Sequence, residues 1–248
     1  IPGTRTLWHD LAEWLDGEWV GDAPYPLLAA RVESLAANLR PTVIIRNGTW
    51  FGPIDLDVPT ISLIQDIMPV NSYHRSEQVR VARLSALTVF NSAYTKAQYP
   101  ELADITSRVI PLSVDFDLFA PRKVEPLADI CWIGAASWVK GWYTLGEIIR
   151  SMPTRTFALV LKDAGSGRMP DNVRAFNRVS HTDLPLIISG CQVGLCTSRQ
   201  ETQHLAGIEM AGCGLPIVAP NIGAYYDAGG AAWNGWRMNR ADVQAIEW

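Results

Sequence analysis

Apolar positions along the chain follow two patterns that take turns, a period near 3.6 residues and short, nearly unbroken runs. Over residues 26–39, PLLAARVESLAANL sets Leu28, Val32, Leu35 and Leu39 three to four apart, the spacing of a helix with one buried stripe. TVIIRN (42–47) and TISLIQD (60–66) are short, apolar and rich in β-branched residues, and predict buried strands. Residues 73–85 return to a helical pattern, with Val79, Ala82 and Leu84 among arginines. LTVFN (87–91) predicts a third strand, after which Asn91 or Ser92 is suited to cap the helix SAYTKAQY. SRVIPL (107–112) predicts a fourth strand.

FDLFAPRKVEPLAD (116–129) has no period and reads as a linker. The alternation restarts beyond it with the strand DICWIG (129–134), the helix GWYTLGEIIRSM and the strand TFALVLK (156–162). A loop with Gly165, Gly167 and Pro170 leads to VRAFNRV (173–179) and the helix TDLPLIISG. Strand QVGLCT (192–197), a helix over 203–213, strand LPIVAP (215–220) and a last helix from Ala241 complete the chain. Such alternation predicts an α/β protein whose parallel sheets are covered by helices on both faces. Two runs imply two Rossmann-like domains facing a cleft, an amino-terminal one over 1–120 and a carboxy-terminal one over 121–248. Ligands of such sheets bind outside the carboxyl ends of the strands.

Composition narrows the function. The chain has 248 residues, of which 48% are hydrophobic and 19% charged, an ordinary globular balance. A net charge of −4 argues against a nucleic-acid groove and against docking on anionic membranes. No apolar run reaches the ~18 residues of a membrane span, and no signal-peptide pattern is present, so the expected location is cytoplasmic. The four cysteines, Cys131, Cys191, Cys196 and Cys213, lack C-x-x-C spacing and read as packed thiols rather than a disulfide framework or zinc site.

The chemistry concentrates in SRQETQHLAGIEMAGCGLPIVAPNIGAY (198–225). A helix starting near Gln203 would aim the free N–H groups of Gln203, His204 and Leu205 at the strand ends, where they suit a phosphate. Glu201 then lies beside whatever the phosphate carries. Glu209, two turns along, is placed to accept hydrogen bonds from a vicinal diol such as a ribose.

Glu-x7-Glu followed by Gly-Leu-Pro and a short strand resembles the retaining, nucleotide-sugar-dependent glycosyltransferases of family four (group 1 glycosyltransferases). Other segments match in the family's order: ALTVFNSAYTKAQYP, RVIPLSVDFDLFAP, ICWIGAASWVKGW and VSHTDLPLIISGCQVGLCTS, together over residues 60–227. The resemblance implies the GT-B fold, with an acceptor side in the amino-terminal domain and a nucleotide-sugar donor side in the carboxy-terminal one. It implies that Glu209 binds the ribose hydroxyls and Glu201 the donor sugar's hydroxyls. Lys140, after Gly134 in the phosphate loop, would reach the diphosphate, whose charge grows as the glycosidic bond breaks. Asp66 would face the acceptor, with Gln65, Asn47 and Trp50 as further acceptor-side candidates.

Several positions depart from the family pattern. Its arginine after the loop glycine is Ala135 here, which leaves Arg199 or another basic residue to replace it. Its His-Asp pair at an amino-domain strand end is Gln65-Asp66. Its Gly-Phe-Gly after the first glutamate is Thr202-Gln203-His204, where the histidine contacts sugar or phosphate, or caps the helix. Trp138 sits inside the phosphate loop, placed to close over the donor.

The resemblance implies transfer of a sugar to an acceptor hydroxyl of a carbohydrate or glycoconjugate, with retention at the anomeric carbon by front-face attack. No cofactor and no metal are expected, since no Asp-x-Asp motif stands at a strand end. The alternatives are a GT-B epimerase or phosphorylase, and a non-catalytic nucleotide-sugar-binding protein.

Overall fold

The computed structural model describes residues 33–34, 36–47, 57–162, 169–227 and 236–238. Of the helix expected over 26–39, residues 33–34 and 36–39 are described and helical. The elements that follow are β1 (Ile44–Asn47), β2 (Thr60–Ile64), α1 (Tyr73–Leu84), β3 (Leu87–Phe90), α2 (Ala93–Ala97), a 3-10 turn (Pro100–Leu102) and β4 (Ser107–Val109). Then come β5 (Ala128–Gly134), α3 (Trp142–Ser151), β6 (Phe157–Leu161), β7 (Val173–Asn177), α4 (Leu184–Ser189) and β8 (Cys191–Leu195). α5 (Leu205–Gly212), β9 (Ile217–Ala219), α6 (Ala224–Asp227) and β10 (Trp236–Met238) end the described chain. The helix expected from Ala241 lies outside the described residues.

β1 to β4 form a four-stranded sheet in chain order. The other sheet has six strands in the order β10-β9-β8-β5-β6-β7. Residue contacts divide the chain into two compact units, one of Ile1–Ser62 with Met68–Thr88, the other of Leu63–Ile67 with Val89–Trp248.

In the first unit α1 starts where the Ser72 hydroxyl accepts the N–H of Arg75 at 3.1 Å. Gln78, Val81 and Ala82 form its buried face. The Arg75 guanidinium donates to the Met68 carbonyl at 3.0 Å, so the segment ahead of the helix is held against it.

The second unit is built on the six-stranded sheet. β5 pairs in parallel with β6 and β8, β6 with β7, and β8 with β9. Burial of β6 explains its unbroken apolar run. Phe157, Leu159 and Leu161 pack on one face with Trp132, Leu145 and Ile149. Ala158 and Val160 point the other way, into a cluster with Cys131, Ile208, Met210 and Tyr225. A strand covered on both faces has no polar side to show. β10 corrects the expectation of all-parallel pairing: it runs antiparallel to β9, with Arg237 opposite Val218. An antiparallel edge strand on an otherwise parallel sheet is a common arrangement, and three residues are too few for a period to show in the sequence.

Candidate functional site

The order of the second sheet has a switch point. From β5 the chain adds β6 and β7 on one flank, then returns to add β8 and β9 on the other. Connections leaving β5 and β8 therefore diverge, and a crevice opens beyond the carboxyl ends of these two strands. Both loops of the candidate site start there.

The loop after β5 runs from Ala135 to Gly141. Lys140 N–H donates to the Ser137 hydroxyl at 3.3 Å, and the Lys140 carbonyl accepts from Thr197 Oγ1 at 2.9 Å. That hydroxyl is oriented in turn by the indole N–H of buried Trp132, at 3.0 Å. Gly141 follows in the left-handed region, at φ 68°, and a Cβ there would run into the Thr197 carbonyl. Only glycine fits a left-handed turn pressed so closely against another backbone. The backbone of Lys140 is thus clamped to the end of β8, and its ammonium is aimed accordingly.

The loop after β8 supplies the opposite charge. Lys140 Nζ lies 2.6 Å from Glu201 Oε1, and the buried Ser198 hydroxyl donates to the same oxygen at 2.6 Å. Glu201 is itself buried, while Lys140 keeps about a third of its side chain exposed. Oε2 of Glu201 has no hydrogen bond from any described residue and is free to accept one. Gln203 turns its amide onto Leu112, accepting its N–H at 2.8 Å and donating to its carbonyl at 2.7 Å.

His204 ends the loop at φ 65° and ψ 65°, the left-handed N-cap residue of α5, and its side chain makes no capping bond. Its Nδ1 pairs with the hydroxyl of buried Tyr225. Burial disfavours charge on His204, but its charge interaction and hydrogen bond with Cys196, together with Glu201, outweigh burial and raise the imidazole pKa. The same contact lowers Cys196 against the opposing effect of burial. Burial pushes the Tyr225 hydroxyl well up.

These groups border a cavity of about 360 Å³. Gln65 and Asp66 from the segment after β2, Gly134 and Lys140 from the β5 loop, and Glu201 to Ala206 from the β8 loop line it, with Asn91, Leu112 and Ile133. The N–H groups of Leu205 and Ala206, at the start of α5, donate no hydrogen bond to described residues, and both residues line the cavity.

The structure therefore brings Asp66, Gln65, Gly134, Lys140, Glu201, Gln203, His204 and Leu205 together. Arg199 is not in the lining; its guanidinium stacks on Trp138, 4.7 Å from the ring centroid, and Trp138 is exposed. Glu209 lies inside α5, away from this lining, 3.2 Å from His181 Nε2. Asn47 ends β1 in the first unit, and Trp50 is outside the described residues. Sequence reading missed how Thr202 is held. Asn91 Nδ2 donates to its hydroxyl at 3.0 Å, and the Ser92 and Thr95 hydroxyls donate to its carbonyl. Adjacent Asn-Ser before a helix signals a cap, and a cap's second partner in a distant loop leaves no local trace.

No family model and no curated protein sequence matches the chain. Solved structures do. Sucrose-phosphate synthase from Thermosynechococcus elongatus matches with a TM-score of 0.69 at 16% identity, over 82% of this chain and 62% of that one. The E. coli trehalose-6-phosphate structure bound with UDP-2-fluoro glucose matches at 0.67 and 12% identity, over 89% of this chain and 68% of that one. A glycosyltransferase from Rickettsia africae ESF-5 matches at 0.64 and 13% identity, over 98% and 76%. The fold is GT-B. Within this GT-B chain the Lys140–Glu201 pair stands where the carboxyl ends of β5 and β8 meet at the switch point. Among the described residues, no helix is long and apolar enough to cross a membrane.

Proposed function

We propose that this protein is a retaining glycosyltransferase that moves a sugar from a nucleoside-diphosphate sugar to the hydroxyl of a carbohydrate or glycoconjugate acceptor. The observation that carries the reading is the 2.6 Å pair of Lys140 and Glu201, set at the sheet's switch point beside the unoccupied N–H groups of Leu205 and Ala206. A cation and a helix start serve the diphosphate, and a carboxylate with a free oxygen serves the sugar hydroxyls. Glu209, hydrogen-bonded to His181, takes the ribose. Residues 1–120 form the acceptor side, with Asp66 and Gln65 nearest the donor, and 121–248 form the donor side.

In the reaction, the bond between the anomeric carbon and the diphosphate oxygen breaks, and a bond from that carbon to the acceptor oxygen forms on the same face. The acceptor's proton passes to the departing phosphate oxygen. Lys140 and the α5 amides hold the charge that develops on the leaving diphosphate, so the protein positions and stabilises rather than attacks. No cofactor and no metal enter this scheme, and the reaction takes place in the cytoplasm.

Thermal-shift titration with UDP, GDP, ADP, TDP and CDP, on the native protein and on Glu209→Ala, tests the donor site. The matching nucleotide at 100 times its Kd stabilises by about 2.7 kcal/mol, and the variant loses the shift. The absence of any shift would sink the reading. The alanine after Gly134 favours one second reading, a protein that binds nucleotide sugars without turnover. Tight nucleotide binding with no transfer or hydrolysis across acceptors would distinguish it.

A further inference from the structure

We propose that His181 is a positioning residue for the donor's ribose. It fixes one oxygen of the Glu209 carboxylate and leaves the other to accept the vicinal hydroxyls, which makes the site select ribonucleotides over 2′-deoxyribonucleotides. The inference rests on the reading of the protein as a user of nucleoside-diphosphate sugars with Glu209 as the ribose contact.

Glu209 stands four residues beyond Leu205 in α5, on the same face and about 6 Å further along the axis. A diphosphate held at the N–H groups of Leu205 and Ala206 therefore carries its ribose alongside Glu209. The Glu209 side chain is 14% exposed, enough to meet a ligand. Its Oε1 lies 3.2 Å from His181 Nε2, and no described residue bonds to Oε2. The last torsion of a glutamate is broad, so an unheld carboxylate turns freely and must be ordered when the ligand binds.

His181 provides the hold in advance. Its side chain is 64% exposed, yet the ring is fixed from two sides. Nε2 meets Glu209, and the wholly buried Phe119 makes an edge contact with the ring, 4.8 Å between centroids. The turn that presents the ring is tied by its own side chains. Ser180 Oγ donates to Asp183 Oδ2 at 2.6 Å and accepts the Asp183 N–H at 3.1 Å. A carboxylate only accepts, so Nε2 carries the proton in this pair. Neutral ring and imidazolium both meet that condition, and the hold survives titration of the imidazole.

The test compares UDP, GDP, ADP and CDP with their 2′-deoxy forms, by calorimetric titration of native protein, His181→Phe and His181→Gln. Phenylalanine keeps a ring against Phe119 and has no donor, whereas glutamine returns an amide N–H near the place of Nε2. The native protein should bind its nucleotide about tenfold more tightly than the 2′-deoxy form. His181→Phe should bring that ratio to within twofold, and His181→Gln should hold it above fivefold. His181→Leu takes the place of phenylalanine if that variant does not fold. A preference that survives loss of the donor in full reduces His181 to a tie between its turn and α5, and overturns the proposal. A native protein that binds a nucleoside diphosphate without preferring the ribose form also overturns it, and leaves the diphosphate site standing. Binding of no nucleoside diphosphate overturns both readings.

Discussion

The two loops of the site use one backbone device in two ways. Each leaves a parallel strand and enters a helix through a left-handed N-cap, Gly141 at φ 68° and His204 at φ 65°. At Gly141 the Thr197 carbonyl fills the place of a side chain, so the residue type follows from sterics. At His204 the same conformation leaves space, and the chain fills it with an imidazole held by Tyr225. A left-handed non-glycine residue costs roughly 1–2 kcal/mol, so its presence beside a cavity points to work for the side chain. The left-handed residue gives shape at Gly141 and carries a side chain at His204.

The largest effect expected concerns what the first loop aims. Lys140→Met should lower transfer from the identified donor by about 10²–10³-fold, roughly 3–4 kcal/mol of lost stabilisation of the leaving group, with the fold intact by circular dichroism. Transfer within threefold of native would separate the Lys140–Glu201 pair from the chemistry. Gly141→Ala breaks the device itself. It should destabilise the protein by about 2–3 kcal/mol, read as a lower urea midpoint at unchanged m-value, because the left-handed penalty adds to a collision with backbone. His204→Asn should lower the same midpoint less than Gly141→Ala does, since asparagine accepts the conformation and meets no backbone, and the loss is confined to the imidazole's contacts with Tyr225 and Cys196. Equal costs at 141 and 204 would erase the distinction between the loops.

The smallest effect serves as a control outside both loops. Asp129, at the entry of β5, accepts Thr156 N–H at 2.8 Å and the Thr156 hydroxyl at 3.1 Å. The backbone bond from Thr156 lowers its pKa most, helped by the Thr156 hydroxyl and Arg155. A carboxyl whose folded pKa is depressed stabilises above its unfolded pKa and loses that contribution as pH falls through the folded value. Asp129→Asn should flatten the acid limb of stability below about pH 4 and leave nucleotide affinity at pH 7 unaltered. Urea melts between pH 7 and pH 2.5 read the first, and titration reads the second.

Much of this architecture was legible in the chain, for reasons that also explain the gaps. FALVL and ICWIG read as strands because both faces of β5 and β6 pack against apolar clusters, which leaves no polar interruption. VRAFN reads poorly because β7 is the sheet's edge, and its Arg174, Ala175 and Asn177 are exposed. α6, four residues long, has no room for a period. The helix expected from 203 begins at Leu205 because His204 is left-handed, a conformation that residue type alone does not announce. Glu201 and Lys140, 61 positions apart, were each readable as site residues by resemblance, and their ion pair follows from parallel strands that end side by side. Gln203 shows the limit: its backbone N–H is expected at a phosphate, but no local pattern encodes that its side-chain amide pairs with the backbone of Leu112.

That pairing depends on a single nitrogen atom. The primary amide of Gln203 meets Leu112 as a neighbouring strand would, an oxygen towards its N–H and a nitrogen towards its carbonyl. Deamidation replaces the nitrogen with oxygen and changes almost nothing in size. It sets a carboxylate oxygen against a carbonyl at 2.7 Å, turning a bond into a repulsion one residue from His204. A change of a single side-chain atom would thus loosen the loop that lines the cavity, with no cut in the chain.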